Sequence, residues 1–117
     1  MSAFNYEKDA EGIVTVTMDM NGPVNAMNEE YRQAMAATVD RLEQEEGLTG
    51  VVFASAKNTF FAGGDLHELL AVEKGQEENF MAMLVATKAV LRRLEKLPVP
   101  VAAAINGAAL GGGFEIC

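Results

Sequence analysis

FFAGGDLHEL, residues 60–69, and INGAALGGGFEI, residues 105–116, carry the same arrangement twice. Each follows an apolar run, GVVFAS at 50–55 or VPVAAAI at 99–105, then passes through glycines and opens a helical pattern with a carboxylate close by, Asp65 or Glu115. A short apolar run bounded by turn residues reads as a buried strand, and a strand that leads through a tight turn into a helix is the unit of an α/β fold. The two runs read as neighbouring parallel strands covered on both faces.

The remaining elements extend outward from these units. Val14, Val16 and Met18 alternate with Thr15 and Thr17, a period of two rich in β-branched residues that predicts a strand. A shorter strand at 4–8 precedes it through a turn at 9–12, and MDMNGPVNAM, punctuated by Gly22-Pro23, is a loop. Asn28 is placed to cap a helix that carries Glu29 and Glu30 in its first turn, has Tyr31, Met35, Val39 and Leu42 on its inner face, and stops at Gly47. A short helix is expected at 65–72 and a longer one from about residue 79 to Leu97, with Phe80, Leu84, Leu91 and Leu94 as its buried stripe. Pro98 and Pro100 end it. The expectation is one α/β domain over 1–117 with largely parallel strands.

Composition narrows the function. Half of the 117 residues are apolar and 22% are charged, the profile of a globular domain rather than a disordered chain. Seventeen acidic against nine basic residues give a net charge of −8, which argues against nucleic acid and anionic membrane surfaces as partners. A single cysteine offers no disulfide framework, and neither a signal peptide nor a membrane-spanning run is evident, so a cytoplasmic setting is expected. His67, the one histidine, lacks partners at metal-ligand spacing, and no metal site is expected.

Two glycine turns on adjacent parallel strands bring backbone N–H groups to the carboxyl ends of the strands, where α/β folds bind ligands. Such paired donors form an oxyanion hole; the alternative reading is that the glycines permit tight turns and close packing. Neither loop is G-x-G-x-x-G or ends in the G-K-[ST] of a phosphate-binding loop, which weakens dinucleotide and ATP readings.

FFAGGDL and AAINGAALGGGFE together resemble the two signature loops of the crotonase superfamily, the enoyl-CoA hydratases and isomerases. Asn25-Ala26-Met27, following a proline, matches a third feature of that family. The resemblance spans nearly the whole chain. It implies a spiral of β-β-α turns, incomplete here at the C-terminus, and an acyl-CoA thioester as ligand, with coenzyme A part of the substrate and no separate cofactor. It further implies that the N–H groups of Gly64 and Gly112 grip the thioester oxygen and that Glu115 acts on the attacking water as general base. A second family glutamate, and the helices used for homo-oligomer contacts, belong to a later segment.

By the same resemblance Ala26, Ala62, Gly63 and Gly111 place backbone against the acyl-CoA, and Lys57 is the candidate contact for a coenzyme phosphate. Asp65, grouped with the binding loop, reads from its position as a helix N-cap. The implied activity is hydration of a 2-enoyl-CoA in fatty-acid oxidation. An enoyl-CoA isomerase, another acyl-CoA enzyme of the family, or a catalytically incomplete acyl-CoA-binding fragment are the alternatives.

Overall fold

A computed structural model describes residues 3–117. Among them β1 (Phe4–Lys8), β2 (Ile13–Met18), α1 (Glu29–Gln44), β3 (Gly50–Ser55), α2 (Leu66–Leu70), α3 (Glu77–Glu95), β4 (Val101–Ala103) and α4 (Gly112–Ile116) follow in that order. The strands form one mixed sheet in chain order. β1 runs antiparallel to β2, whereas β2, β3 and β4 are mutually parallel. The carboxyl ends of the three parallel strands therefore share one edge, and both glycine loops leave the sheet there.

Local chemistry explains the early elements. Asp9 closes the β1–β2 turn by accepting from the Glu11 and Ile13 N–H groups at 2.8 and 3.0 Å, a side-chain mimic of a backbone turn. The alternation of β2 places Val14, Val16 and Met18 on one face with no exposed surface, leaving the threonines half-buried on the other. Asn28 caps α1 by accepting from the Tyr31 N–H at 3.0 Å, and the helix buries Tyr31, Met35, Val39 and Leu42 against that face. Phe4, Met20, Val51, Phe53, Phe60, Phe61 and Leu94 complete the core. Each such side chain contributes about 1.5–3 kcal/mol when fully buried.

The second half departs from expectation. β3 buries Val51 and Phe53 but leaves Val52 and Ala54 half-buried, so it is covered fully on one face only. β4 is three residues rather than the expected seven, and Val101 is 39% exposed, because the strand pairs with β3 alone at the sheet edge. Helix α2 ends at Leu70, short of residue 72, and buries nothing. Helix α3 buries Leu94 but not the rest of its expected stripe: Phe80 and Leu91 are half-buried and Leu84 is 38% exposed. It leans on α1 partly through Arg93, which pairs with Asp40 and Glu43 at the surface. Surface pairs of this kind contribute little stability, so packing under Leu94 and Val90 anchors the helix.

Candidate functional site

A buried asparagine joins the elements beneath the site. Asn25 Oδ1 accepts from the Met20 N–H at 3.0 Å, while Nδ2 donates to the Met18 carbonyl at 3.1 Å and to Ser55 Oγ at 3.0 Å. These bonds tie the end of β2, the following loop and the end of β3 together. The Ala62 N–H then donates to the Asn25 carbonyl at 2.8 Å, and the Met27 N–H donates to the Gly63 carbonyl at 2.7 Å. Ala26 and Ala62 are half-buried along this seam. Sequence reading placed Asn25 in a motif without a role; its function as a junction depends on partners distant in the chain.

The two glycine loops lie against each other. The Phe60 and Phe61 N–H groups both donate to the Ala108 carbonyl, at 2.9 and 3.1 Å, and the Leu110 N–H donates to the Phe61 carbonyl at 3.0 Å. Gly63 has φ +93°, a region that side chains disfavour, and a Cβ there would stand 3.0 Å from the Leu110 carbonyl oxygen. Gly111 packs next to it: a Cβ on Gly111 would lie 3.7 Å from Gly63 Cα. Gly113 is fixed by close approach, since its Cβ would fall 2.5 Å from Phe61 Cβ and 2.7 Å from the Phe61 carbonyl oxygen. Gly64, by contrast, faces open space. Among the described residues neither the Gly64 nor the Gly112 N–H has an acceptor.

The other predicted residues take varied places. Asp65 caps α2, accepting from the His67 and Glu68 N–H groups at 2.8 and 3.3 Å. His67 is exposed, and no cluster of metal-ligating side chains occurs among the described residues. Lys57 Nζ pairs with Asp19 at 2.9 Å, and the Lys57 carbonyl accepts from Asn106 Nδ2 at 2.7 Å, bracing the first loop against the second.

Gly64 sits on an apolar cleft of about 210 Å³, walled by Met27, Leu66, Leu69, Phe80 and Met83. Glu115 lines a different cleft, of about 590 Å³, with Lys88, Leu91 and Arg92 from α3. Tyr31 packs edge-on against Phe61, and among the described residues its buried hydroxyl has no hydrogen-bond partner. Burial pushes that phenol well up from its ordinary range, and the Glu115 carboxylate adds to the shift. The geometry thus brings Gly63 against Gly111 and Gly112 against Met27, places Gly64 and Asp65 on the apolar cleft with Met27, and leaves Glu115 facing another space. The methionines read from sequence as adaptable core that could also line an acyl pocket, and Met27 and Met83 line this cleft; Leu66, Leu69 and Phe80 were not singled out for it, because apolar residues at helical spacing look like core.

A cleft with apolar walls and a free N–H at its rim can hold an apolar chain ending in a carbonyl. The sequence profile of the enoyl-CoA hydratase/isomerase family matches residues 8–117. The chain belongs to that family. Its similarity to the fatty acid oxidation complex subunit alpha of Idiomarina loihiensis is 35% identity over 116 residues, covering 97% of this chain and 16% of the relative. The enoyl-CoA hydratase structure from Mycobacterium smegmatis superposes with a TM-score of 0.89 at 27% identity, over 99% of this chain and 44% of that one. The enoyl-CoA hydratase structure from Bacillus anthracis gives 0.81 at 25% identity, over 97% and 43%. The crotonase fold expected from the loops is therefore the fold found, and the chain spans less than half the length of these relatives. No helix among the described residues is long and apolar enough to cross a membrane.

Proposed function

We propose that this chain supplies the acyl-thioester-binding part of an enoyl-CoA hydratase site serving fatty-acid oxidation. The observation that carries the reading is the apposition of the two glycine loops beside an apolar cleft, with the Gly64 and Gly112 N–H groups left unpaired. Adding water across the C2=C3 bond of an enoyl thioester forms a C3–O bond and moves the π electrons through C2 to the thioester oxygen. Two preorganised donors meet that developing charge, each worth about 3 kcal/mol by analogy with other oxyanion holes. The apolar walls take the acyl chain. Glu115 is the general base for the water, and the proton delivered to C2 comes from a group outside these residues.

The test is an assay of the intact protein that carries this chain, followed by loss of the conjugated enoyl-thioester absorbance and by product identification. A 3-hydroxyacyl-CoA product supports hydration; conversion of a 3-enoyl-CoA to the 2-enoyl isomer without water addition assigns the site to isomerisation instead. A second reading, that residues 1–117 alone bind an acyl thioester without turning it over, is favoured by the position of Glu115 in a cleft separate from Gly64. Saturable binding of a saturated acyl-CoA by the 117-residue chain, without turnover of the enoyl form, is its expected signature.

A further inference from the structure

Helix α2 forms one wall of the apolar cleft, yet it is barely attached to the protein. None of its residues is buried, and Leu70 is 83% exposed. Its cap, Asp65, bonds within the helix itself. Among the described residues Glu68 is the only side chain of α2 with a hydrogen bond to another element. Both of its carboxylate oxygens are used: Oε1 accepts from Arg32 Nη2 at 2.7 Å, and Oε2 accepts from the Glu29 N–H at the start of α1 at 2.9 Å. Arg32, itself largely buried with 17% of its side chain exposed, lines the cleft together with Glu68. A charge-assisted pair of this kind, with a half-buried partner and a helix-start N–H, is stronger than an exposed ion pair.

Gly64 is held separately. The Gly63 carbonyl is fixed by the Met27 N–H, and Gly63 is pressed onto Leu110. The wall can therefore shift while the backbone donor stays in place. We propose that Glu68 is a positioning residue whose carboxylate clasps α2 to α1 and so sets how tightly the cleft holds an acyl chain. This inference rests on reading the cleft as the acyl site.

The experiment compares Glu68→Ala, Glu68→Gln and, as a stability control at the other end of α3, Arg93→Ala in the intact protein carrying this chain. Amide hydrogen exchange without ligand reads the clasp directly: E68A is expected to exchange α2 amides about tenfold faster, E68Q less, and R93A not at all. With a 2-enoyl-CoA, E68A is expected to raise KM about tenfold while kcat falls less than threefold, with E68Q recovering part of the loss. Unchanged exchange in α2, or equal losses in E68A and R93A, overturns the proposal. If the wild-type protein turns over no enoyl-CoA, the reading of the activity fails, while the exchange result still decides whether Glu68 clasps the helix.

Discussion

At the first glycine loop a side chain closes the helix that follows, whereas at the second the closure is made by backbone alone. Asp65 takes the His67 and Glu68 N–H groups of α2. In α4 the Gly111 carbonyl accepts from Phe114 and Glu115, the Leu110 carbonyl accepts from Gly113, and no side chain caps the helix. The surroundings differ in the same sense: Gly64 faces open space, while Gly112 and Gly113 are pressed against Met27 and Phe61. The first loop thus combines an accessible donor with a loosely held helix, and the second combines a donor with a tightly fitted one. Under the proposed function both loops offer a donor to the thioester oxygen, the first beside the apolar cleft and the second together with the carboxylate of Glu115.

The sharpest way to break that division is at Glu115. If the second loop carries the chemistry, Glu115→Gln in the intact protein should lower kcat for enoyl-CoA hydration by about 10²–10⁴-fold, the usual contribution of a general base, with little change in binding of a saturated acyl-CoA. Turnover within threefold of wild type would remove the chemistry from that loop. Next in size is the contrast in fit. Gly113→Ala forces a Cβ into the Phe61 backbone and should destabilise by about 3 kcal/mol, toward the top of the overpacking range. Gly64→Ala, with nothing near its Cβ, should stay within about 0.5 kcal/mol of wild type in denaturant unfolding. Equal effects at the two sites would mean that the loops are packed alike.

A smaller effect is expected at the cap. Asp65→Ala removes both α2 acceptor bonds and should cost about 1 kcal/mol of local helix stability. Because α2 buries no residue, the change should appear as faster amide exchange in α2 with almost no shift in Tm. A fall in global stability of the same size would show that α2 is coupled to the core more firmly than its exposure implies.

How far these features could be read from sequence follows from what each depends on. The glycine turns, the Asn28 and Asp65 caps and the β2 alternation rest on residues within a few positions of one another, and they were legible. The exposure of β4 and of α3 was not, because a continuous apolar run does not reveal whether one or both sides have neighbours. Asn25 depends on Met18, Ser55 and Met20 converging from separate elements, which no local pattern encodes. The separation of Gly64 from Glu115 into two clefts is set by the course of α3, whose residues line both spaces. Spacing in the loops gave the candidate residues, but only the packing of that helix showed which cleft each one faces.

Tyr31 tests the packing around Phe61 of the first loop and should give the smallest effect. Its ring packs edge-on against Phe4 at 6.1 Å and against Phe61 at 5.3 Å between centroids. Phenylalanine would keep both contacts and remove only the hydroxyl, which is buried without a partner. A buried polar group left unpaired carries a desolvation cost, so Tyr31→Phe should be neutral or stabilising by up to about 1 kcal/mol in denaturant unfolding. The substitution also removes a titratable group whose value Glu115 helps to raise, and because burial and that carboxylate raise it the phenol stays protonated through neutral pH. Stability between pH 6 and 8 should therefore have the same pH dependence in Tyr31→Phe as in wild type. A loss above about 1 kcal/mol would instead mean that the hydroxyl is satisfied in solution by water entering a further cleft, which Tyr31 lines with Arg32, Met35, Met83 and Val90. In that case Tyr31 belongs to a wet cleft between α1 and α3 as well as to the core, and the packing contrast between the two loops would have to be redrawn around it.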